Sequence, residues 1–139
     1  MMQSKRATNI KRKGANKMKA DIRDFMELDI FTIAYVECAL WSSTDDNDEP
    51  LDANYDIYDI SAECLTQINI DCAMFQAENM TMIQDDLSQA GHDFWLTRNG
   101  HGAGFWDGDW PEHGDLLTAK CKEYGEINLY VGDDGLIYC

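Results

Sequence analysis

A cluster of polar and aromatic side chains around an Asn-Gly pair is the part of this sequence best suited to chemistry. The cluster comprises Trp95, Arg98, Asn99, His101, Trp106 and Asp107. An arginine beside a glycine-rich turn could hold a phosphate or a carboxylate through its planar fork and nearby backbone N–H groups. The histidine could act there as an acid or a base, and the rings could stack on a base or a sugar. The cluster is therefore a candidate ligand site.

The same residues also have a purely structural interpretation. Asn99-Gly100 is typical of a two-residue hairpin turn, and the glycines that follow it meet the steric needs of a tight turn. Arg98 could pair with Asp93 or Asp107 across such a hairpin. Because turn chemistry already explains most of the pattern, we favour this interpretation over the ligand site.

Metal binding and nucleophilic catalysis have little support in the sequence. The three histidines are widely spaced, and none forms a ligand pair at the spacing that zinc sites use. The sequence contains no Gly-x-Ser-x-Gly motif and no phosphate-binding glycine loop, and Cys121 is expected to pack in the core. We therefore predict no metal, no cofactor and no catalytic residue, and we consider an enzyme less favoured than a binding protein.

Hydrophobic periodicity predicts an α+β domain with the order α-α-β-β-α-β-β. It consists of two N-terminal helices, then a β-hairpin, a helix and a second β-hairpin that form a small antiparallel sheet. The predicted helices span residues 28–41, residues 61 to about 78 or beyond, and residues 115–124. The predicted hairpins span residues 93–107, with the turn at Asn99-Gly100, and 127–138. The first hairpin would position the polar cluster.

Charge divides the chain into two parts. Seven of the 11 Lys and Arg residues lie in the first 20 positions, whereas all 26 Asp and Glu residues lie from Asp21 onward. That second part has four bases against 26 acids, a net charge of −22, within a total of −15. We expect it to repel nucleic acid and anionic membranes and to be attracted to basic surfaces. The alternative is that the acidic residues only keep the protein soluble.

A dense acidic run occupies the loop after the first predicted helix. It comprises Asp45, Asp46, Asp48, Glu49 and Asp52. The run lacks the central glycine and the closing glutamate of an EF-hand loop, so a solvated loop is a better interpretation than a calcium site. Because carboxylates can stand in for the phosphates of a strand, we predict that these five residues contact a basic partner.

The sequence predicts one acidic domain over residues 20–139, preceded by a basic leader over residues 1–19. The leader is polar and without periodicity, so we expect it to be disordered or not native; the alternative is a nucleic-acid-binding or targeting arm. Residues 13–17, just before Met18, can be encoded by a purine-rich stretch that resembles a bacterial ribosome-binding site. We therefore expect Met18 to be the natural start, which the gene sequence would test.

The cysteine pattern and the hydropathy predict the cellular compartment of the protein. Five cysteines are scattered without a Cys-x-x-Cys pair, which does not predict a disulfide framework and suits a reducing compartment. No apolar run reaches the length of a membrane span, since residues 31–41 are too few and include Glu37. We therefore expect a cytoplasmic protein that does not bind membranes.

Three segments of the chain together carry a resemblance to a known protein family. Residues 91–107 read GHDFWLTRNGHGAGFWD, residues 124–138 read YGEINLYVGDDGLIY, and residues 39–46 read ALWSSTDD. In these segments the chain resembles a family of small uncharacterised proteins encoded by bacteriophages and prophages. The resemblance covers most of residues 18–139 and implies a phage gene product that acts in the cytoplasm of its bacterial host. It implies no activity.

Three functions are compatible with these features. The favoured one is an accessory protein that binds a basic surface of a host protein, as an acidic mimic of nucleic acid that inhibits a defence or nucleic-acid-handling factor. One alternative is a small-ligand protein or enzyme that uses Arg98 and His101. The other is an assembly module that self-associates through an aromatic sheet face.

Overall fold

The computed structural model describes residues 19–101, 103–106 and 108–139, and the fold is α+β with helices predominating. The helices among these residues are α1 (Ile22–Met26), α2 (Ile30–Ser42), α3 (Ala62–Ile83), α4 (Leu87–Arg98) and α5 (Gly114–Lys122). The strands are β1 (Tyr130–Val131) and β2 (Ile137–Tyr138), and two short 3-10 turns span Leu51–Ala53 and Ile57–Asp59. The predicted leader, apart from Lys19, and the predicted site residue Asp107 lie outside the described residues.

Side-chain caps set where the three longest helices begin. The carboxylate of Asp29 accepts from the backbone N–H of Thr32 at 2.8 Å at the start of α2. Ser61 caps α3 as the sequence predicted, and Asp86 caps α4 by accepting from the backbone of Gln89 at 3.1 Å. Each cap satisfies an N–H group that has no partner within its helix. The first and second predicted helices are confirmed as α2 and α3, and the third is confirmed as α5.

An aromatic core joins α2, α3 and α4. Phe31 and Tyr35 of α2, Phe75 of α3 and Phe94 of α4 are each fully buried. The rings of Phe75 and Phe94 stack with centroids 4.2 Å apart, and Phe105 packs against Phe75. Large rings provide most of the buried apolar area of a small domain, so this cluster fixes how the three helices pack.

Glycine at position 91 lets α4 approach α2 closely. A Cβ atom there would overlap the backbone carbonyl oxygen of Phe31, and a backbone atom cannot move aside as a flexible side chain can. We expect Gly91→Ala to lower the free energy of unfolding by about 1–3 kcal/mol, because the two helices must separate. Urea unfolding measures this, and Ala119→Gly at an exposed position of α5 is the comparison, expected to cost about 1 kcal/mol through helix propensity. Equal or greater stability of Gly91→Ala would contradict the packing described here.

The hairpin predicted over residues 93–107 is wrong. Residues 87–98 form helix α4, and Asn99-Gly100 ends that helix, with Gly100 at a φ of +70°. An Asn-Gly pair suits both a hairpin turn and a helix C-terminus, because both need a residue with positive φ. Residues 93–98 are all buried, so α4 lacks the polar face that would have marked it as a helix.

The second hairpin exists as a short antiparallel pair. Tyr130 lies opposite Tyr138 and Val131 opposite Ile137, across the predicted turn at residues 132–135. Ile137 also bridges Ile60 in parallel, and its carbonyl accepts from the backbone N–H of Ser61 at 2.8 Å. The chain end therefore lies against the start of α3. No helix among the described residues combines the length and the apolarity that crossing a membrane requires.

Candidate functional site

Arg98, the centre of the predicted ligand site, lies at the end of α4 with only 6% of its surface exposed. Its guanidinium donates to Asp71 Oδ2 at 2.8 Å and to Tyr35 Oη at 3.0 Å. It also donates to the backbone carbonyls of Gly125 at 2.9 Å and Tyr124 at 3.0 Å. The group is thus bound by four protein acceptors and does not offer its fork to a ligand. Arg98 pairs with Asp71 and not with Asp93, the first of its two predicted partners, while the second, Asp107, lies outside the described residues.

Rings and charges around Arg98 keep it ionised in the interior. Its guanidinium lies over the rings of Phe94 and Tyr124, 5.5 and 5.7 Å from their centroids. Burial by itself lowers the pKa of Arg98, but its interactions with the Tyr35 hydroxyl and with Asp71 outweigh burial, and the pKa is raised. Burial has the opposite effect on Tyr35 and raises the pKa of its hydroxyl. The hydroxyl therefore stays neutral and accepts a hydrogen bond from Arg98. These contacts make Arg98 a structural tie between α2, α3, α4 and the segment after α5.

The other described residues of the cluster, Trp95, Asn99, His101 and Trp106, differ in burial and in partners. Trp95 is buried and donates from Nε1 to Ser42 Oγ at 2.7 Å, and Asn99 accepts from the backbone N–H of Ile127 at 2.9 Å. His101 is half-buried, whereas Trp106 has 43% of its surface exposed. None of these residues lines any of four better-defined cavities of the described chain. Trp95, Arg98 and Asn99 are engaged in contacts within the protein.

Asp93 is a buried carboxylate that the sequence did not single out as a site. It is 1% exposed, and it accepts from Trp110 Nε1 at 2.8 Å and from Gln89 Nε2 at 3.0 Å. Burial raises the pKa of this carboxyl, against the effect of the two hydrogen bonds. Its contacts hold the loop around Trp110 onto α4, so its role within the described structure is to position that loop.

The acidic loop is a constrained turn that presents part of its charge outward. Asp45 Oδ1 accepts from the backbone N–H groups of Asn47 at 2.8 Å and Glu49 at 3.0 Å, so this half-buried carboxylate shapes the turn. Asp46 and Asp48 are exposed, and Asp48 has a φ of +62°. Of the five predicted contact residues, Asp45 is therefore structural.

The base of the acidic loop is anchored to the core. Thr44 and Pro50 form an antiparallel bridge, and the backbone N–H of Leu51 donates to the carbonyl of Ser43 at 2.9 Å. The Leu51 side chain is fully buried, while Asp52 beside it is exposed. The loop is thus held at both ends, which reduces the entropy lost when it binds a partner.

Carboxylates dominate the surface of the described chain. Of its 25 Asp and Glu residues only Asp71 and Asp93 are buried, whereas one of its five Lys and Arg residues, Arg98, is buried. The surface therefore carries 23 carboxylates and four basic side chains, and one of those four, Arg23, is paired with Asp21 at 2.9 Å. Among the described residues, none of the five acids of the loop forms an ion pair with Lys or Arg.

Two cysteines form a disulfide that the sequence did not predict. Cys64 in the first turn of α3 is bonded to Cys139, with the two Cα atoms 5.3 Å apart. The expectation that all five cysteines are reduced is thus wrong for this pair, and cysteine usage no longer supports a reducing compartment. Cys38, Cys72 and Cys121 are free and buried, and burial raises the pKa of each thiol, to about 12 for Cys38. Buried thiols of this kind are poor nucleophiles.

Comparison of the chain with models of protein families, with curated proteins and with solved structures gives no match. Among the described residues, no three His, Cys, Asp or Glu side chains are grouped as a metal site requires. The feature that most clearly sets this surface apart is its excess of carboxylates over basic side chains.

Proposed function

We propose that this protein is a phage accessory protein that binds a basic surface of a bacterial host protein, as a mimic of nucleic acid. The observation that carries the proposal is the described surface, with its 23 carboxylates and four basic side chains. A surface with so large an excess of one charge attracts basic partners and repels anionic ones. Surfaces that normally hold DNA or RNA have the complementary charge.

The acidic loop supports a defined contact rather than attraction by net charge alone. Its exposed carboxylates, including Asp46, Asp48 and Asp52, project from a turn held by the Thr44–Pro50 bridge and by the buried Leu51. Fixed negative groups can replace the phosphates of a strand at the Lys and Arg side chains of the partner. The bacterial cytoplasm as the place of action is part of this proposal and rests on the resemblance to phage proteins.

The experiment is a pull-down from bacterial lysate with the tagged full chain, at low and high salt and with competing duplex DNA. We expect a DNA- or RNA-binding host protein to be retained at low salt and released by high salt or by DNA. Salt screens the basic side chains of the host protein, and DNA competes for those same side chains. The triple variant Asp46→Asn/Asp48→Asn/Asp52→Asn is expected to bind that partner roughly tenfold more weakly, since three charge contacts are removed. Asn also tolerates the positive φ of position 48.

A matched variant separates the loop from net charge. Glu123→Gln/Glu126→Gln/Asp133→Asn removes the same three charges from exposed positions outside the loop, and we expect it to bind nearly as well as the wild type. An equal loss for both triple variants would show attraction by net charge without a defined loop contact. A partner that is retained in high salt and in the presence of DNA would contradict nucleic-acid mimicry.

A further inference from the structure

An apolar groove lies beside the acidic loop, between α1, α2 and the segment of residues 52–58. Its volume is about 510 Å³. Phe25, Leu40 and Ile57 form its buried or half-buried floor, and Ile33 and Tyr58 stand at its edges with 36% and 50% of their surfaces exposed. The groove is thus a concave surface made mostly of aliphatic and aromatic side chains.

The outer face of α2 extends this apolar surface beyond the groove. Ile30 and Trp41 have 58% and 60% of their surfaces exposed, and with Ile33 they lie at the spacing of one helix face. Met26 of α1 has 76% exposed. Contiguous exposed apolar surface of this kind on a protein mostly covered by carboxylates marks an interaction site.

Carboxylates surround the groove and connect it to the acidic loop. Glu37, Asp52 and Asp56 line it, and all three are exposed. Within the described chain none of the three is paired with Lys or Arg. Asp52 belongs to both the acidic loop and the groove, so the two form one continuous surface with an apolar centre and an acidic edge.

We propose that this groove binds a segment of the partner protein in which bulky apolar side chains are flanked by Lys or Arg. The apolar side chains would enter the groove, and the basic ones would meet Glu37, Asp52 and Asp56. Protein interfaces commonly have this arrangement, with an apolar centre that provides affinity and a charged rim that provides specificity. The inference rests on the proposed function, whose partner it describes further. Charge selects this occupant, since a second copy of the chain, at a net charge of −15, would be repelled.

The test uses the full chain and three labelled 14-residue probe peptides. The first is an amphipathic Leu/Lys helix, the second has Gly in place of Leu at the same charge, and the third has Glu in place of Lys. We expect the Leu/Lys probe to bind at least about tenfold more tightly than the Gly/Lys probe by fluorescence anisotropy, because only the former can fill the groove. The Leu/Glu probe is expected not to bind.

Paired variants locate the binding. Ile33→Gln/Tyr58→Gln is expected to weaken binding of the Leu/Lys probe about tenfold, because it makes both edges of the groove polar. Leu116→Gln/Tyr130→Gln changes two apolar residues elsewhere that are more exposed than Ile33 and Tyr58, and it is expected to leave binding within about twofold of wild type. Methyl resonances of Ile33, Leu40 and Ile57 are expected to shift on adding the Leu/Lys probe to the wild type, a readout that needs no variant to fold.

Four outcomes would overturn the groove proposal. Tight binding of the Gly/Lys probe would show charge attraction alone and would leave the proposed function standing. Equal loss in both paired variants would show that apolar contact is not confined to the groove. Methyl shifts away from the groove would place the contact elsewhere. Sedimentation of the wild type as a dimer that Ile33→Gln/Tyr58→Gln converts to a monomer would show that a second copy occupies the groove.

Discussion

Replacing Arg98 with methionine is expected to lower the free energy of unfolding by about 3–5 kcal/mol. Methionine keeps much of the length of the side chain but leaves Asp71 as a buried carboxylate without a cation, and it removes a donor from Tyr35 and from two backbone carbonyls. An uncompensated buried charge costs far more than the loss of an exposed pair. Urea unfolding followed by circular dichroism measures the change.

Two comparisons make the Arg98 result specific. Arg23→Met breaks the exposed pair with Asp21 and is expected to produce no measurable change in stability. Arg98→Met/Asp71→Leu is expected to be more stable than Arg98→Met alone, because the stranded carboxylate is gone. If Arg98→Met is as stable as wild type while binding to a partner or ligand is lost, Arg98 belongs to a functional site and the structural role described here is wrong.

Removing the disulfide with Cys139→Ser is expected to lower the free energy of unfolding by about 4 kcal/mol. Cys64 and Cys139 are 75 residues apart in sequence, and joining them restricts the unfolded chain in proportion to the logarithm of the loop length. The bond also holds the end of the chain against the start of α3, where Ile137 bridges Ile60. Thermal or urea unfolding of the oxidised wild type and the variant measures the difference.

Reductant supplies the control for the disulfide. We expect wild type in reductant to unfold like Cys139→Ser, and the variant to be unaffected by reductant, since it has no bond to lose. The oxidised wild type should show three free thiols after unfolding, from Cys38, Cys72 and Cys121. Five reactive thiols in protein that was never exposed to reductant, with unchanged stability on adding it, would contradict the bond.

The buried Arg98–Asp71 pair argues against a ligand site at Arg98, whereas the groove favours a surface that binds another protein. Arg98 was the strongest reason to expect a ligand site, and four protein acceptors now account for four of its five N–H donors. The acidic loop was expected to face solvent, and Asp46, Asp48 and Asp52 do so. The structure adds an apolar groove beside the loop, which composition did not reveal because its lining comes from separate elements.

Local signals were sufficient to predict most helices but failed at α4. The apolar stripe of α3 and its Ser61 cap are features of neighbouring residues, so they can be recognised in sequence. In α4 almost every side chain from Asp93 to Arg98 is buried, which removes periodicity, and Asn99-Gly100 fits two kinds of ending. Nothing within that segment distinguishes a buried helix from an aromatic strand.

The sequence by itself determined the charge of the protein, the acidic loop, helices α2, α3 and α5, and the turn at residues 132–135. These follow from composition and short-range periodicity, which operate over a few residues. The tertiary structure alone decided that Arg98 is a buried tie, that Cys64 bonds Cys139, and that Phe25, Ile33 and Tyr58 share one groove. Each of these features joins residues that are far apart in the chain. How the helices pack determines which residues meet, and short-range sequence patterns do not contain that information.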